Sequence, residues 1–332
     1  MTKPVLAKGL RREVAAWWHG DVTLERAATR EGFGQGLLAA AKKNDRVIAL
    51  TANLGGSTCL DGFRKQYPQR FIDVGVAEQS LVGVAVGLAS EGFLPVATSF
   101  AVFSPGRNWD FIRVQVAMSK QPVIVVGSHA GLATGPDGAT HQALEDVSLM
   151  RGLPGMTVLS PLDAAEAAKA IAKSVAVKEP TYLRLVRAKT PLLTKKSTPY
   201  VIGRALPLLK GTDVAILTTG TMAFTALEAA KLLWQKKWSA SVTHFGTIKP
   251  LDERAVLAAA KNSKVVVTLE DHNIIGGFGS AVAEALAKKP AAPLLRMGVR
   301  DLFGESGTPG QLYKKHGLDA ATIARRITKQ LS

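Results

Sequence analysis

One acid in this chain stands where a surface charge would be out of place. Phe71-Ile-Asp-Val74 reads as the end of a buried strand, Gly75 breaks it, and residues 77–89 read as a helix of small and aliphatic residues. Glu78 then falls in the first turn of a helix that is apolar nearly all round, where the positive end of the helix dipole favours a carboxylate. A helix-capping acid is the plain alternative. Ser99-Phe-Ala-Val-Phe103 ends a second strand and spaces Phe100 and Phe103 at i and i+3. Such a pair is either core or a wall against which a flat ligand stacks. Gly135-Pro-Asp-Gly-Ala-Thr-His-Gln142 is a Gly- and Pro-rich loop that ends in His-Gln, and Ser128-His-Ala-Gly131 follows a strand. Asp137, His141 and His129 are therefore expected at a strand's carboxyl end, where open α/β sheets build their sites, and imidazole suits proton transfer near neutral pH. Arg30, Arg187 and Ser57, the last after Gly55-Gly56, are of types that hold phosphate oxygens.

The elements that must carry these residues alternate. Short apolar runs at Val47–Thr51, Phe71–Val74, Pro95–Thr98, Val123–Ser128, Thr157–Leu159 and Thr181–Leu185 read as strands. Helices are expected at Thr23–Lys43, Glu78–Ala89, Trp109–Met118 and Ala164–Ser174. Arg187 to Pro199 is polar with two prolines and reads as a linker or crossing segment. A second unit follows, with strands at Asp213–Thr218, Ala240–Thr243 and Lys264–Thr268, and helices after Thr219-Gly-Thr221 and from Gly276. The expected fold is α/β in two domains, each a mostly parallel sheet wrapped by helices. The expected boundaries are an N-terminal extension over 1–22, a first domain over 23–187, a linker over 188–205 and a second domain over 206–332.

Composition excludes several classes. A chain of 332 residues, 47% hydrophobic and 20% charged, is globular and long enough for two cores. Its single cysteine, Cys59, permits no intramolecular disulfide and no zinc cluster, in keeping with a cytoplasmic protein. The longest apolar region, Leu81 to Phe103, is broken by Ser90-Glu-Gly92 and Pro95, so no membrane span is expected. The net charge of +16 is spread along the chain without a nucleic-acid motif, and suits anionic sugar phosphates or an acidic partner subunit.

The stretch DVGVAEQSLVGVAVGLASEGFLPVATSFAVF resembles the pyrimidine-binding domain of the transketolase group of thiamine-diphosphate enzymes. EDHNIIGGFGSAVAE resembles the transketolase C-terminal domain, which mostly supports dimerisation. The resemblance implies thiamine diphosphate as cofactor. Glu78 would bond its aminopyrimidine ring and activate it, Phe100 and Phe103 would seat the ring, and Leu54 and Val76 would hold the cofactor bent. Asn53 stands where the family commonly has an acid that contacts the cofactor, and Gly106 where a third aromatic usually follows. By the same likeness His129, Asp137 and His141 face the sugar, with His141 near the reacting carbonyl, and Arg30, Ser57 and Arg187 face its phosphate. Where His129 stands, deoxyxylulose-phosphate synthases usually have an arginine.

The resemblance runs from about Leu24 to Ala320 and matches only the second part of an ordinary transketolase. The family's metal- and diphosphate-binding Gly-Asp-Gly motif has no counterpart in this sequence. No metal ligand is therefore expected here, and magnesium or another divalent metal would be bound mainly by a partner chain that carries the missing domain. The expected protein is the C-terminal subunit of a split transketolase, a transferase of the pentose phosphate type. It would move a two-carbon ketol unit between sugar phosphates as a heterotetramer of two chain types, self-associating through this chain. The alternatives are a 1-deoxyxylulose-5-phosphate synthase-like chain, a 2-oxoacid dehydrogenase beta-type subunit, and a non-catalytic partner.

Overall fold

The structure, a computed structural model, describes residues 5–20, 22–288 and 292–331. The remaining residues of the expected extension and second domain lie outside the described residues. Two sheets carry the fold. The first has seven strands in the order Thr247–Lys249, Thr157–Leu159, Thr181–Arg184, Ile124–Ser128, Leu94–Phe100, Val47–Thr51 and Phe71–Asp73. All its neighbours run parallel except the first pair. Val47–Thr51, Leu94–Phe100 and Ile124–Ser128 are buried along their whole length, as expected of parallel strands covered by helices on both faces.

The second sheet has six strands in the order Val5–Leu6, Leu206–Lys210, Ala240–His244, Val214–Thr218, Val265–Asn273 and Leu294–Val299. Its four inner and C-terminal strands are parallel, and the two at the other edge are antiparallel. The mostly parallel α/β architecture read from the sequence is thus present twice.

The two sheets trade edges. Val5–Leu6, from the chain's beginning, pairs with Leu206–Lys210 of the second sheet, while Thr247–Lys249 from the second half pairs with Thr157–Leu159 of the first. The helix Arg12–His19 packs with the second unit: Trp17 lies 4.9 Å from Phe224 ring to ring, and Lys231 Nζ donates to the Trp17 carbonyl. One hydrophobic cluster runs through both units, joining Leu50, Leu81 and Ala97 to Ala215, Val266 and Phe278.

Local differences from the sequence reading have physical causes. The helix expected from Thr23 starts at Thr29, because Arg26–Ala27 is taken by a short antiparallel pairing with Thr190–Pro191. That pairing also ties down the expected linker. The buried Asp163 carboxylate accepts from the Leu193 and Thr194 amides at 2.9 and 2.7 Å, so the crossing segment is fastened rather than loose. The helix expected over Trp109–Met118 is α-helical only at Trp109–Phe111 and widens to a π-helix over Ile112–Met118.

Against the other face of the first sheet, the helices Thr29–Lys43 and Ala164–Val177 pack backbone to backbone. A Cβ on Gly32 would lie 1.9 Å from the Ala164 carbonyl oxygen, and one on Gly36 would lie 2.6 Å from that of Ala168. Glycine at both positions is what permits this approach.

Candidate functional site

Nearly every residue singled out above follows the carboxyl end of a parallel strand of the first sheet. Val47–Thr51 leads to Asn53, Leu54 and Ser57; Phe71–Asp73 to Val76 and Glu78; and Leu94–Phe100 to Phe103. Ile124–Ser128 leads to His129, Asp137 and His141, and Thr181–Arg184 to Arg187. Arg30 joins them from the first turn of the helix Thr29–Lys43. The sheet's topology thus gathers residues scattered over nearly half the chain along one edge.

Glu78 begins the helix Glu78–Ser90 and is 1% exposed. Its Oε2 accepts from Arg107 Nη1 at 2.9 Å. The helix start is pinned by Asn108, whose Nδ2 donates to the Glu78 carbonyl at 2.8 Å and to Ser104 Oγ at 3.2 Å. Beside it an aromatic wall forms. Phe100 and Phe103 lie 6.1 Å apart with planes 17° from parallel. The His129 ring stacks on Phe100 at 3.9 Å, and His141 meets Phe100 and Phe103 edge-on at 6.2 and 5.5 Å. Arg107 lies over the Phe103 ring at 4.8 Å.

His129 holds a left-handed backbone, with φ of 56°, and its carbonyl accepts from the Thr134 hydroxyl. Burial, helped by the nearby positive charges of Arg30 and Arg187, pushes its imidazole down from the ordinary 6.5 to about 3. His129 is therefore neutral near pH 7 and offers a flat face and hydrogen bonds rather than a store of protons. His141 Nδ1 is 2.9 Å from Thr140 Oγ1.

Asp137 is engaged by Arg187, whose Nη1 donates to both carboxylate oxygens at 2.9 Å. Arg30 Nη1 donates to the Ser57 carbonyl, while its buried Nε has no partner among the described residues. Arg30, Arg187, Asp137 and His141 all act on His129 electrostatically, so the expected sugar-facing and phosphate-facing residues share one neighbourhood. The buried, unpaired Arg30 Nε–H is a donor suited to an anion.

Asn53, Leu54 and Val76 form a separate group. The Asn53 and Gly75 amides donate to Asp73 Oδ1 at 2.9 and 3.0 Å, joining the two loops. Val76 is 72% exposed. Among the described residues, these three share no hydrogen bond or ring contact with the aromatic wall.

The loop with Asp137 and His141 is held from the second unit. Asp271 Oδ1 accepts from the Leu132 amide at 2.9 Å, and Oδ2 accepts from the Ala133 amide at 3.4 Å and from the Tyr313 hydroxyl at 2.9 Å. Gln142 Nε2 bridges the Gly135 and Glu305 carbonyls at 3.0 and 2.9 Å. Gly131, at φ of 75°, has no room for a side chain, since a Cβ would lie 2.2 Å from Asp271 Oδ2. Below this loop Arg184 Nε donates to Asp146 Oδ2 at 2.8 Å, and its Nη2 donates to the Asp271 carbonyl at 2.8 Å. The second unit thus positions the loop directly, beyond the support of dimerisation expected from the sequence. Sequence reasoning missed Arg107, Asn108 and Asp271. The polar Gly-Arg-Asn run after the aromatic pair was the available signal for the first two.

A buried carboxylate beside two stacked phenyl rings fits the edge and face of an aminopyrimidine ring. Among the described residues, no group of three or more His, Cys, Asp or Glu side chains is arranged to hold a metal ion.

Residues 25–191 match the transketolase pyrimidine-binding domain, and residues 203–323 match the transketolase C-terminal domain. The chain belongs to the transketolase family, which implies use of thiamine diphosphate. It is similar to a 6-deoxy-6-sulfo-D-fructose transketolase subunit of Clostridium sp. (strain MSTE9), at 42% identity over 92% of this chain and 95% of that one. It is also similar to a solved split gene transketolase described as an inactive beta4 tetramer. That match has a TM-score of 0.85 and 40% identity, covering 91% of this chain and 97% of that one. A 1-deoxy-D-xylulose-5-phosphate synthase of Synechococcus sp. (strain JA-2-3B'a(2-13)) is 38% identical over 89% of this chain, which spans 46% of that protein. Among the described residues, no helix is long and apolar enough to cross a membrane.

Proposed function

We propose that this chain is the C-terminal subunit of a split transketolase, and that with a partner chain it transfers a two-carbon ketol unit between sugar phosphates. The observation that carries the reading is the buried Glu78 carboxylate beside the Phe100–Phe103 wall at the sheet's carboxyl edge. Similarity to proteins described as a transketolase subunit and a split gene transketolase supports it. The metal and the diphosphate would be held mainly by the partner, in an assembly with two chain types that sits in the cytoplasm and serves pentose phosphate chemistry.

Thiamine diphosphate, when bound, would supply a nucleophilic carbon for the transfer. The residues of this chain act at the ring and at the sugar. Glu78 presents an oxygen at which a proton is shared with the ring's edge, while Phe100 and Phe103 fix the ring's plane. His129 is a neutral hydrogen-bonding group at the sugar, and Asp137 takes its hydroxyls. His141, with Thr140 on one ring nitrogen, is placed to move a proton at the donor or acceptor oxygen. Arg30 and Arg187, with Ser57, hold the sugar's phosphate. Asn53, Leu54 and Val76 lie on loops suited to contact the cofactor's remaining length.

The test is ketol transfer from xylulose 5-phosphate to ribose 5-phosphate, with thiamine diphosphate and magnesium, by this chain mixed with a chain carrying the Gly-Asp-Gly domain. Activity in the mixture that falls at least about a hundredfold on Glu78→Gln is the expected result, general acid–base contributions being of that order. Undiminished turnover of the Glu78→Gln complex would remove the mechanism.

A further inference from the structure

Arg107 has no part in the reading above, yet it makes both contacts that the reading reserves for the cofactor's ring. Its guanidinium lies over Phe103 at 4.8 Å, and its Nη1 donates to Glu78 Oε2 at 2.9 Å. A guanidinium is planar, stacks on aromatic faces and donates hydrogen bonds to carboxylates, which are also the recognition features of a protonated aminopyrimidine. Among the described residues, Arg107 is the one side chain that donates to this carboxylate. The Glu78 side chain is 2% exposed and that of Arg107 is 47% exposed. The acid cannot move out to meet a partner, whereas the arginine can leave toward water.

The backbone around Arg107 is fastened on both sides. The Arg107 amide donates to the Phe103 carbonyl at 2.8 Å, and neighbouring Asn108 is fastened to the start of the Glu78 helix. At Gly106 a Cβ would lie 2.1 Å from the Val102 carbonyl oxygen, so no side chain can stand there in this conformation. The position at which the family usually carries a third aromatic is thereby barred to one, and Arg107 covers Phe103 in its stead.

We propose that Arg107 is a surrogate for the cofactor's ring: it pairs with Glu78 and covers Phe103 until the ring displaces it toward solvent. This rests on the thiamine-diphosphate reading of the site. Arg107 is then a positioning residue that competes with the ligand, keeping a buried carboxylate paired and in place at some expense of affinity.

The experiment is a calorimetric titration of thiamine diphosphate with magnesium into the assembled two-chain complex, with inorganic pyrophosphate as the comparison ligand. Arg107→Met removes the charge and the donors while keeping a long flexible side chain. It is expected to tighten thiamine diphosphate about fivefold, or ~1 kcal/mol, and to leave pyrophosphate unchanged. Loading followed by tryptophan fluorescence is expected to become faster in the variant. Arg107→Lys keeps the charge without the planar fork and is expected to fall between, which also covers failure of the Met variant to assemble. Unchanged or weaker thiamine diphosphate binding in the variants, with a wild type that binds, overturns the proposal alone. A wild-type complex that binds pyrophosphate but not thiamine diphosphate overturns the functional reading and this proposal with it.

Discussion

Replacing Asp271 by Ala tests whether the second unit holds the loop that carries Asp137 and His141. The carboxylate accepts from two loop amides, Leu132 and Ala133, and from the Tyr313 hydroxyl. Asp271 is 4% exposed, so water cannot readily replace it. Each buried donor left without a partner costs about 1–3 kcal/mol, and the Ala133 bond at 3.4 Å is the weakest of the three. The expected loss is about 3–6 kcal/mol. In a protein of this size ~1 kcal/mol lowers the melting temperature by about 2 °C, so the midpoint should fall by about 6–12 °C. Tyr313→Phe leaves both amide bonds intact and should cost about 1–2 kcal/mol. The double variant should lose less than the sum, because both changes remove one shared bond. Limited proteolysis should cut the Asp271→Ala chain within residues 131–142 faster than wild type. A loss below about 1 kcal/mol with unaltered proteolysis would refute the assigned role.

Other perturbations follow from the same geometry. Gly32→Ala would drive a methyl into the Ala164 carbonyl and should lower the melting temperature by several degrees, since overpacking costs about 1–3 kcal/mol. Asp146→Ala strips buried Arg184 of its carboxylate partner and should cost about 3–5 kcal/mol in urea unfolding, whereas a loss near zero would show that the pair is not buried in solution. His129, held at about 3 when folded and 6.5 when exposed, makes the unfolded chain bind more protons between those values. The advantage of wild type over His129→Asn should therefore be full above about pH 6.5 and shrink as pH falls toward 4, which unfolding at a series of pH values will check. Phe103→Leu removes one ring of the wall and should weaken thiamine diphosphate in the assembled complex by about threefold to tenfold, aromatic pairing being worth about 0.5–1.5 kcal/mol.

Glu78 was legible because its surroundings in sequence are nearly all apolar, so a charge there demands a reason. The parallel strands were legible for the same cause: buried on both faces, they appear as unbroken aliphatic runs. Asp137, His141, Phe100 and Phe103 could be found because strand ends and turn residues mark where such groups emerge. Arg107 could not, since an arginine in a Gly-Arg-Asn run looks like any solvated loop charge until its distance to Glu78 is known. Asp271 lies in the run Glu270-Asp-His272, in which nothing marks that its partners lie more than a hundred residues away in Leu132 and Ala133. The edge strands Val5–Leu6 and Thr247–Lys249 are too short to carry an alternation pattern, and only pairing defines them.

Those exchanged edge strands bear on how the molecule comes apart. Cutting the chain in the polar segment around residues 195–199 would separate two family domains by sequence, but each half would take away a strand belonging to the other. The first sheet would lose Thr247–Lys249, and the second would lose Val5–Leu6. Each fragment would then present unpaired amides and carbonyls, the surface along which sheets aggregate. The two sequence modules each hold a strand of the other's sheet, so the chain is best truncated, tagged or transplanted whole.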